Sequence, residues 1–226
     1  MRRSDIPEGL ADPSLWPTVD VTALAGERRD VYQRREQAIC AYLRGETRAD
    51  IEHLCALDEF DLLLIEQPIH EEDYLGHKLL AKRMRTPVCL DESVLSADNA
   101  ESLIDYGACE IANIKAGRVG GYLSAKAIHD VAVARGVPVW CGGMVETGIG
   151  RAANIALASL PGFTLPGDTS SSSRFYSLDV TEPFVMDADG LMTVPTGPGL
   201  GVTPTPDVLA ELTNSREELI GSSKRR

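Results

Sequence analysis

A repeat of about 25 residues constrains the fold of this chain more than any other feature of its sequence. Comparable points in four apolar segments fall at Glu66, Asp91, Lys115 and near Cys141, separated by 25, 24 and 26 residues. One strand, one helix and their connecting loops need about that length. The repeat therefore predicts consecutive βα units, which build either a doubly wound open sheet or a barrel.

Five short apolar runs predict the strands of these units. They are FDLLLIE (60–66), PVCLDE (87–92), EIANIK (110–115), PVWCGG (138–143) and FTLPGD (163–168). Continuous apolar runs are typical of parallel strands covered on both faces. Between them, Ser96 is placed to cap the start of a helix, and Gly107 and Gly136 to end helices. Residues 161–208, rich in Pro, Gly, Ser and Thr, predict long loops.

Three ionisable residues close three successive predicted strands: Glu66, Asp91 and Lys115. Neighbouring parallel strands lie about 4.8 Å apart, so residues at their ends converge on one patch. Two carboxylates there favour a hard cation such as Mg²⁺ or Mn²⁺. The field of that cation would favour a neutral lysine, which could then act as a base near neutral pH. One such residue alone is usually a loop residue or a cap, but three at one register of a repeat indicate a site.

The remaining motifs allow a functional or a structural interpretation. RVGG (118–121) could offer backbone N–H groups to an anion, although GG before a helix is more often a tight turn. His129 lies within an amphipathic helix and is interpreted as structural. The five cysteines never form a CxxC pair, which predicts reduced and mostly buried thiols.

Charge and hydropathy exclude several classes of partner. The formal net charge of −12 argues against a nucleic acid or an anionic membrane, because both need a basic footprint. No apolar run approaches the roughly 20 residues that span a bilayer, and the N-terminus has no apolar signal core. With the reduced cysteines, these observations predict a cytoplasmic protein.

Several segments together resemble the o-succinylbenzoate synthase and N-acylamino acid racemase family of the enolase superfamily. They are LIEQP, TPVCLDES, NIKAGRVGG, VPVWCGGMVETGIGRAANIALASLPGFTLPGD and GPGLGV, between about Ala49 and about Thr213. The resemblance implies an α/β fold, a partial (β/α)₈ TIM-type barrel with the equivalents of strands four to eight. It divides the chain into a divergent segment (1–48), the barrel domain (49–213) and a C-terminal tail (214–226).

The resemblance also implies the roles of individual residues. Lys115 matches a catalytic lysine that flanks the substrate, and Glu66 and Asp91 match two of three metal-binding acids. Asn113 and Glu92 match neighbouring positions that support those acids, and Gly143 and Met144 match a loop that lines the substrate pocket. The implied cofactor is Mg²⁺ or Mn²⁺, and the implied substrate is a small-molecule carboxylate. The implied reaction is either dehydration to o-succinylbenzoate in menaquinone synthesis or racemisation of N-acylamino acids.

Three departures from the family pattern concern the front of the barrel. The chain has no capping domain and no KxK pair, and Gln37 in QAICAY stands where the first metal-binding acid is expected. We therefore expect an N-terminally truncated member with impaired activity, which self-associates or requires a missing N-terminal portion. Two alternatives stay open: a non-catalytic remnant or assembly subunit, and an unrelated barrel that binds phosphate through RVGG.

Overall fold

The structure, a computed structural model, describes residues 49–217. The divergent segment 1–48, with Gln37 and Cys40, lies outside the described residues, so the predicted domain limits stay a prediction. The described elements follow in chain order. They are α1 (Ala49–Cys55), a 3₁₀ helix (Ala56–Phe60), β1 (Ile65–Glu66), α2 (Tyr74–Arg83), β2 (Val88–Leu90), α3 (Ala97–Tyr106), β3 (Ile111–Ile114), α4 (Tyr122–Ala134), β4 (Val139–Cys141), α5 (Gly148–Ala158), a second 3₁₀ helix (Ser172–Arg174) and α6 (Pro206–Leu212).

The four strands form one sheet in the order β1-β2-β3-β4. β1 pairs in parallel with β2, Ile65 opposite Val88, and β2 pairs in parallel with β3, Cys89 opposite Ile111. Every residue of β2 and β3 is buried, which explains their continuous apolar runs. A doubly wound sheet would reverse its strand order at a switch point. The described strands follow chain order throughout, as the strands of a (β/α) barrel do.

The predicted fifth strand, FTLPGD, is much shorter than its apolar run indicated. Only Phe163 forms a parallel bridge, to Val139, and Leu165 N donates to the carbonyl of Val139 at 3.4 Å. Pro166 follows at once and has no N–H to donate to a ladder. The prediction of an extended strand over 163–168 is therefore wrong, although its first residue does pair as expected.

The predicted helix ends are confirmed at α3. The Ser96 side chain accepts a hydrogen bond from Asn99 N at 3.2 Å, which satisfies one amide of the first turn. Gly107 ends the helix at φ 77°, a left-handed conformation that a side chain would disfavour. These caps fix where α3 begins and ends between β2 and β3.

The described residues divide into two compact units, 49–140 with Gly162–Pro166 and Cys141–Pro161 with 167–217. The core of the first unit includes Leu80, Leu90 and Ile114, all 0% exposed. In the second unit α5 buries most of its length, including Arg151. Within residues 49–217 no helix is long and apolar enough to cross a membrane.

The described cysteines agree with the predicted reduced thiols. Cys55, Cys89, Cys109 and Cys141 form no disulfide, and the last three are buried. Burial raises the pKa of each of these three thiols to about 12, so none is a reactive thiolate near neutral pH. His129 is also buried, as its structural interpretation requires, and it stacks on Phe163.

Candidate active site

The first unit presents charged side chains at the carboxyl ends of three neighbouring strands. Glu66 is the last residue of β1, Asp91 follows β2 directly, and Lys115 follows β3 directly. The repeat thus predicted the correct strand ends, but not the pairing within the sheet. Glu66 lies opposite Cys89, and Cys89 opposite Ile111, so Asp91 lies two residues beyond the partner of Glu66.

Direct contacts link these residues into one cluster. Lys115 Nζ donates to Asp91 Oδ2 at 2.6 Å, and Asn113 Nδ2 donates to Glu66 Oε1 at 2.7 Å. Asp91 is only 3% exposed, whereas Glu66 is largely exposed. The half-buried Glu92 follows Asp91 in the chain. The structure therefore brings together Lys115, Asp91, Asn113 and Glu66, which the sequence had placed at one site.

Arg118 completes the cluster, although sequence reasoning had treated it only as part of RVGG. Its Nη1 pairs with Asp91 Oδ1, its Nη2 donates to the Asn113 carbonyl at 2.8 Å, and its Nε donates to the Val94 carbonyl at 3.0 Å. The signal that could have found it is spacing, because Arg118 follows Asp91 by 27 residues, about one repeat.

The RVGG segment itself forms a tight turn. The backbone N–H groups of Arg118 and Val119 donate to the Lys115 carbonyl, and that of Gly121 donates to the Ala116 carbonyl. Gly121, at φ 111°, then starts α4. Because these N–H groups already have partners inside the turn, the anion-binding interpretation of RVGG is not supported.

The charge environment of Lys115 differs from the one expected for a free base. Burial by itself would lower the pKa of Lys115, but the hydrogen bond and charge of Asp91, with the charge of Glu66, raise it above its ordinary value of 10.5. The contact with Asp91 therefore favours the ammonium form of Lys115, whereas a cation bound to Asp91 would favour the neutral amine that the sequence predicted.

The predicted metal would require oxygen ligands at this site. Asn113 Oδ1 is buried and has no hydrogen-bond partner among the described residues. Within residues 49–217 no three His, Cys, Asp or Glu side chains converge as a metal-binding group. Glu66 and Asp91 are the two acids that the sequence predicts as metal ligands, and the position expected for a third, Gln37, lies outside the described residues.

A polar network beside the acids was missed by sequence reasoning. Gln67, directly after Glu66, accepts hydrogen bonds from the backbone N–H groups of Asp91 at 2.9 Å and Ser93 at 3.3 Å. Its φ is 38°, in the left-handed region that non-glycine residues rarely occupy. Ser93 follows Gln67 by 26 residues, again about one repeat.

The second unit holds the two residues predicted to contact substrate. Gly143 and Met144 line a pocket of about 410 Å³ together with Thr169, Ser170, Arg174 and Phe175. The amide of Gly143 donates to Asp168 Oδ1, and that of Met144 donates to Glu146 Oε1 at 2.6 Å. These bonds hold the loop after β4 in a defined shape within its own unit.

Arg151 donates hydrogen bonds to two loops at the same pocket. It is 0% exposed, and its guanidinium donates to the carbonyls of Ser170 and, at 2.9 Å, Glu146. The buried side chain thereby ties two pocket loops to α5.

Comparisons with known proteins agree with this fold. The family model of the enolase C-terminal domain-like proteins matches residues 24–208. The chain is 56% identical over 201 residues to an N-succinylamino acid racemase from Amycolatopsis sp, a match covering 89% of this chain and 53% of that protein. It is 52% identical over 155 residues to an o-succinylbenzoate synthase from Geobacillus kaustophilus, covering 69% and 41%.

A solved structure of an enolase superfamily member from Listeria innocua superposes with a TM-score of 0.70 at 42% identity, covering 74% of this chain and 45% of that one. The chain thus spans about half the length of the relatives that it matches. The predicted α/β fold, a partial TIM-type barrel of the enolase superfamily, is confirmed, and the chain belongs to the enolase C-terminal domain-like family.

Proposed function

We propose that this chain supplies a lysine base and two acids to a metal-dependent site that removes the α-proton of a small carboxylate substrate. The observation that carries the proposal is the cluster at three successive strand ends, where Lys115 Nζ lies 2.6 Å from Asp91 Oδ2. The names of the relatives, o-succinylbenzoate synthase and N-succinylamino acid racemase, support either of those two activities for the complete enzyme.

The donor atoms of the cluster fit Mg²⁺, or Mn²⁺ in its place. Both ions prefer oxygen ligands, and Glu66 and Asp91 would hold the ion through their carboxylates. Asn113 adds a buried oxygen with no hydrogen-bond partner in the described chain. When bound, the ion supplies positive charge that stabilises the negative charge developing on the substrate carboxylate.

The charge balance of the cluster predicts weak ion binding by this chain. Glu66 and Asp91 carry two negative charges, and Lys115 and Arg118 carry two positive charges, so these four groups sum to zero. A divalent cation gains little net attraction until a further acid is added. We expect calorimetric titration with Mg²⁺ to show weak binding that Glu66→Gln or Asp91→Asn abolishes. Tight binding that neither change affects would contradict the assignment.

Lys115 is the residue that would take the α-proton. Only a neutral amine accepts a proton, and the contact with Asp91 keeps this lysine charged. Base activity therefore requires that the negative charge of Asp91 be compensated by something other than Lys115. Asp91 thus controls both the position of the base and its protonation state.

One lysine serves one face of the α-carbon. In the family that this chain resembles, a KxK pair supplies the lysine on the opposite face. The sequence of this chain contains no KxK pair. Lys115 alone can remove the α-proton of one enantiomer and return a solvent proton to the same face. We therefore expect hydrogen exchange without inversion, rather than racemisation.

NMR in D₂O with Mg²⁺ tests this reaction, using the N-succinyl derivatives of both enantiomers of one amino acid. We expect slow α-deuteration of one enantiomer, lost in Lys115→Ala and retained in Lys126→Ala, whose lysine is on the exposed face of α4. Inversion catalysed by the chain alone would show that it contains a second base. A front fragment carrying the capping domain, the KxK strand and the third acid should restore full turnover.

A non-catalytic remnant or assembly subunit is the second candidate. It is favoured by the ion pairs that occupy both oxygens of Asp91. The absence of α-deuteration even with the front fragment present would establish this alternative and overturn the proposed enzyme.

A further inference from the structure

We propose that Gln67 is a positioning residue, which fixes the backbone that carries Asp91 and is itself oriented by His77. The part of this inference that concerns metal affinity rests on the proposed function. The hydrogen-bond network that it describes stands on contacts of the described residues alone.

The backbone at Gln67 is held in an unfavourable conformation. Among residues 49–217, Gln67 and Asp61 are the non-glycine residues with positive φ. Such a conformation costs about 1–3 kcal/mol and persists only where surrounding contacts enforce it. Gln67 N donates to the Cys89 carbonyl at 2.8 Å, which continues the parallel pairing of β1 with β2 and holds this backbone in place. The Gln67 side chain contacts the loop after β2.

The orientation of the Gln67 amide is unambiguous. Its Oε1 lies 2.9 Å from Asp91 N and 3.3 Å from Ser93 N, and backbone amides can only donate. The oxygen must therefore face the two backbone amides, and the NH₂ group must face the neighbouring acceptors. Nε2 lies 2.9 Å from Ser93 Oγ and 3.3 Å from the Ile69 carbonyl. The Ser93 hydroxyl donates onward to the Glu71 carbonyl at 2.7 Å, so it accepts from Gln67.

His77 supports this orientation from α2. Its Nδ1 lies 2.9 Å from the Asp73 carbonyl, which can only accept, so Nδ1 carries the hydrogen of the neutral ring. Nε2 is then an acceptor, and it lies 3.3 Å from Gln67 Nε2, whose second hydrogen it shares with the Ile69 carbonyl. The ring is 0% exposed, and burial lowers its pKa, which keeps this neutral tautomer. A histidine in α2 and a glutamine after β1 thereby fix the loop that holds Asp91.

The side chains around Asp91 therefore make two different kinds of contact. Lys115 and Arg118 contact its carboxylate, whereas Gln67 holds its backbone N–H. A side chain that hydrogen-bonds behind a metal ligand typically changes metal affinity by about 10–100-fold when it is removed. Gln67 touches neither the ion nor the substrate in this scheme, and acts only through Asp91.

Three variants of the full chain test the inference. Gln67→Met keeps the size and the backbone strain but removes the acceptor. Gln67→Glu restores an oxygen acceptor. Asp58→Ala is the matched control, because Asp58 accepts from two loop amides, Arg85 N and Thr86 N, each at 2.8 Å, and belongs to no part of the cluster.

The first measurement is amide hydrogen exchange by NMR. In Gln67→Met we expect exchange of the Asp91 and Ser93 amides to accelerate about tenfold or more, with the Glu110 amide, which donates to the Val88 carbonyl, unchanged. Gln67→Glu keeps the acceptor but loses the NH₂ donors, so it should protect the Asp91 amide better than Gln67→Met does, and Asp58→Ala should leave both amides unaffected. Unchanged exchange of both amides in Gln67→Met, or equal exchange of the Asp91 amide in the two Gln67 variants, would overturn the inference.

The second measurement is Mg²⁺ affinity. We expect it to weaken about tenfold in Gln67→Met and to stay unchanged in Asp58→Ala, even though both variants lose loop hydrogen bonds. Equal affinities of Gln67→Met and the parent chain would overturn the metal-positioning role. If the parent chain binds no Mg²⁺, the proposed function fails, and the exchange measurement still decides whether Gln67 holds the Asp91 loop.

Discussion

Replacing Asp91 by Asn should destabilise the fold because it leaves two cations facing each other in a mostly buried site. The side chains of Lys115 and Asp91 are 19% and 4% exposed. Lys115 pairs with one carboxylate oxygen of Asp91, and Arg118 pairs with the other. Two unit charges about 4 Å apart interact by about 4 kcal/mol at an effective dielectric constant of about 20. Removing one partner of a buried pair typically costs about 3–5 kcal/mol, because the remaining charge is left uncompensated.

A double-mutant cycle isolates the contribution of one pair. We expect Asp91→Asn to lower the free energy of unfolding by about 3 kcal/mol, and Lys115→Met to recover part of that loss in the double variant. The coupling energy should be about 2–3 kcal/mol, with Arg118 retaining the remainder of the charge imbalance. Urea unfolding followed by circular dichroism measures all four chains of the cycle.

The matched control is a second lysine–aspartate pair with the same geometry in a different environment. Lys126 Nζ and Asp130 Oδ2 also lie 2.6 Å apart, but their side chains are 55% and 53% exposed. The same cycle there should give a far smaller coupling energy, because water and salt screen an exposed pair. Equal coupling energies for the two pairs would refute the reasoning that burial, rather than distance, sets the strength of the Asp91 cluster.

Three further predictions concern stability and assembly. Gly148→Ala places a Cβ 1.8 Å from Thr181 Oγ1 and should cost about 1–3 kcal/mol in urea unfolding, partly recovered by adding Thr181→Ala. Burial lowers the pKa of His77 below its ordinary value of 6.5, so the folded state binds fewer protons than the unfolded state below that pH. Stability should then fall on acidification below pH 6.5, with a weaker slope in His77→Gln. Sedimentation should show self-association, because β1 pairs on one side only among residues 49–217, whereas a cooperatively melting monomer would contradict it.

Much of the fold follows from the order of residues along the chain. The spacing of Glu66, Asp91 and Lys115 predicts the repeat, and buried β2 and β3 coincide with the apolar runs that predicted them. Ser96 and Gly107 mark the ends of α3 because capping depends on residues within one turn. The fifth strand is where this reasoning fails, since the length of a strand depends on pairing with a neighbour, and Pro166 ends that pairing.

The residues that share the site are only partly visible in the sequence. Lys115 and Asp91 were placed together because both follow the ends of neighbouring predicted strands, but Arg118 and Gln67 were not assigned to the cluster. Their contacts join positions 27 and 24 residues apart, about one repeat. That spacing is a usable signal, although it does not say which of several polar residues at the right distance has the side-chain length to reach.

The sequence by itself determined the unit of the fold, the residues at the strand ends and the superfamily to which they belong. Only the tertiary structure decided that Lys115 is held as an ammonium by Asp91 and that Gln67 and His77 lie behind that carboxylate. The physical reason is that a charge state depends on burial and on the nearest opposite charge. Both are fixed by distances between residues far apart in the chain, whereas periodicity and capping depend on neighbours along it.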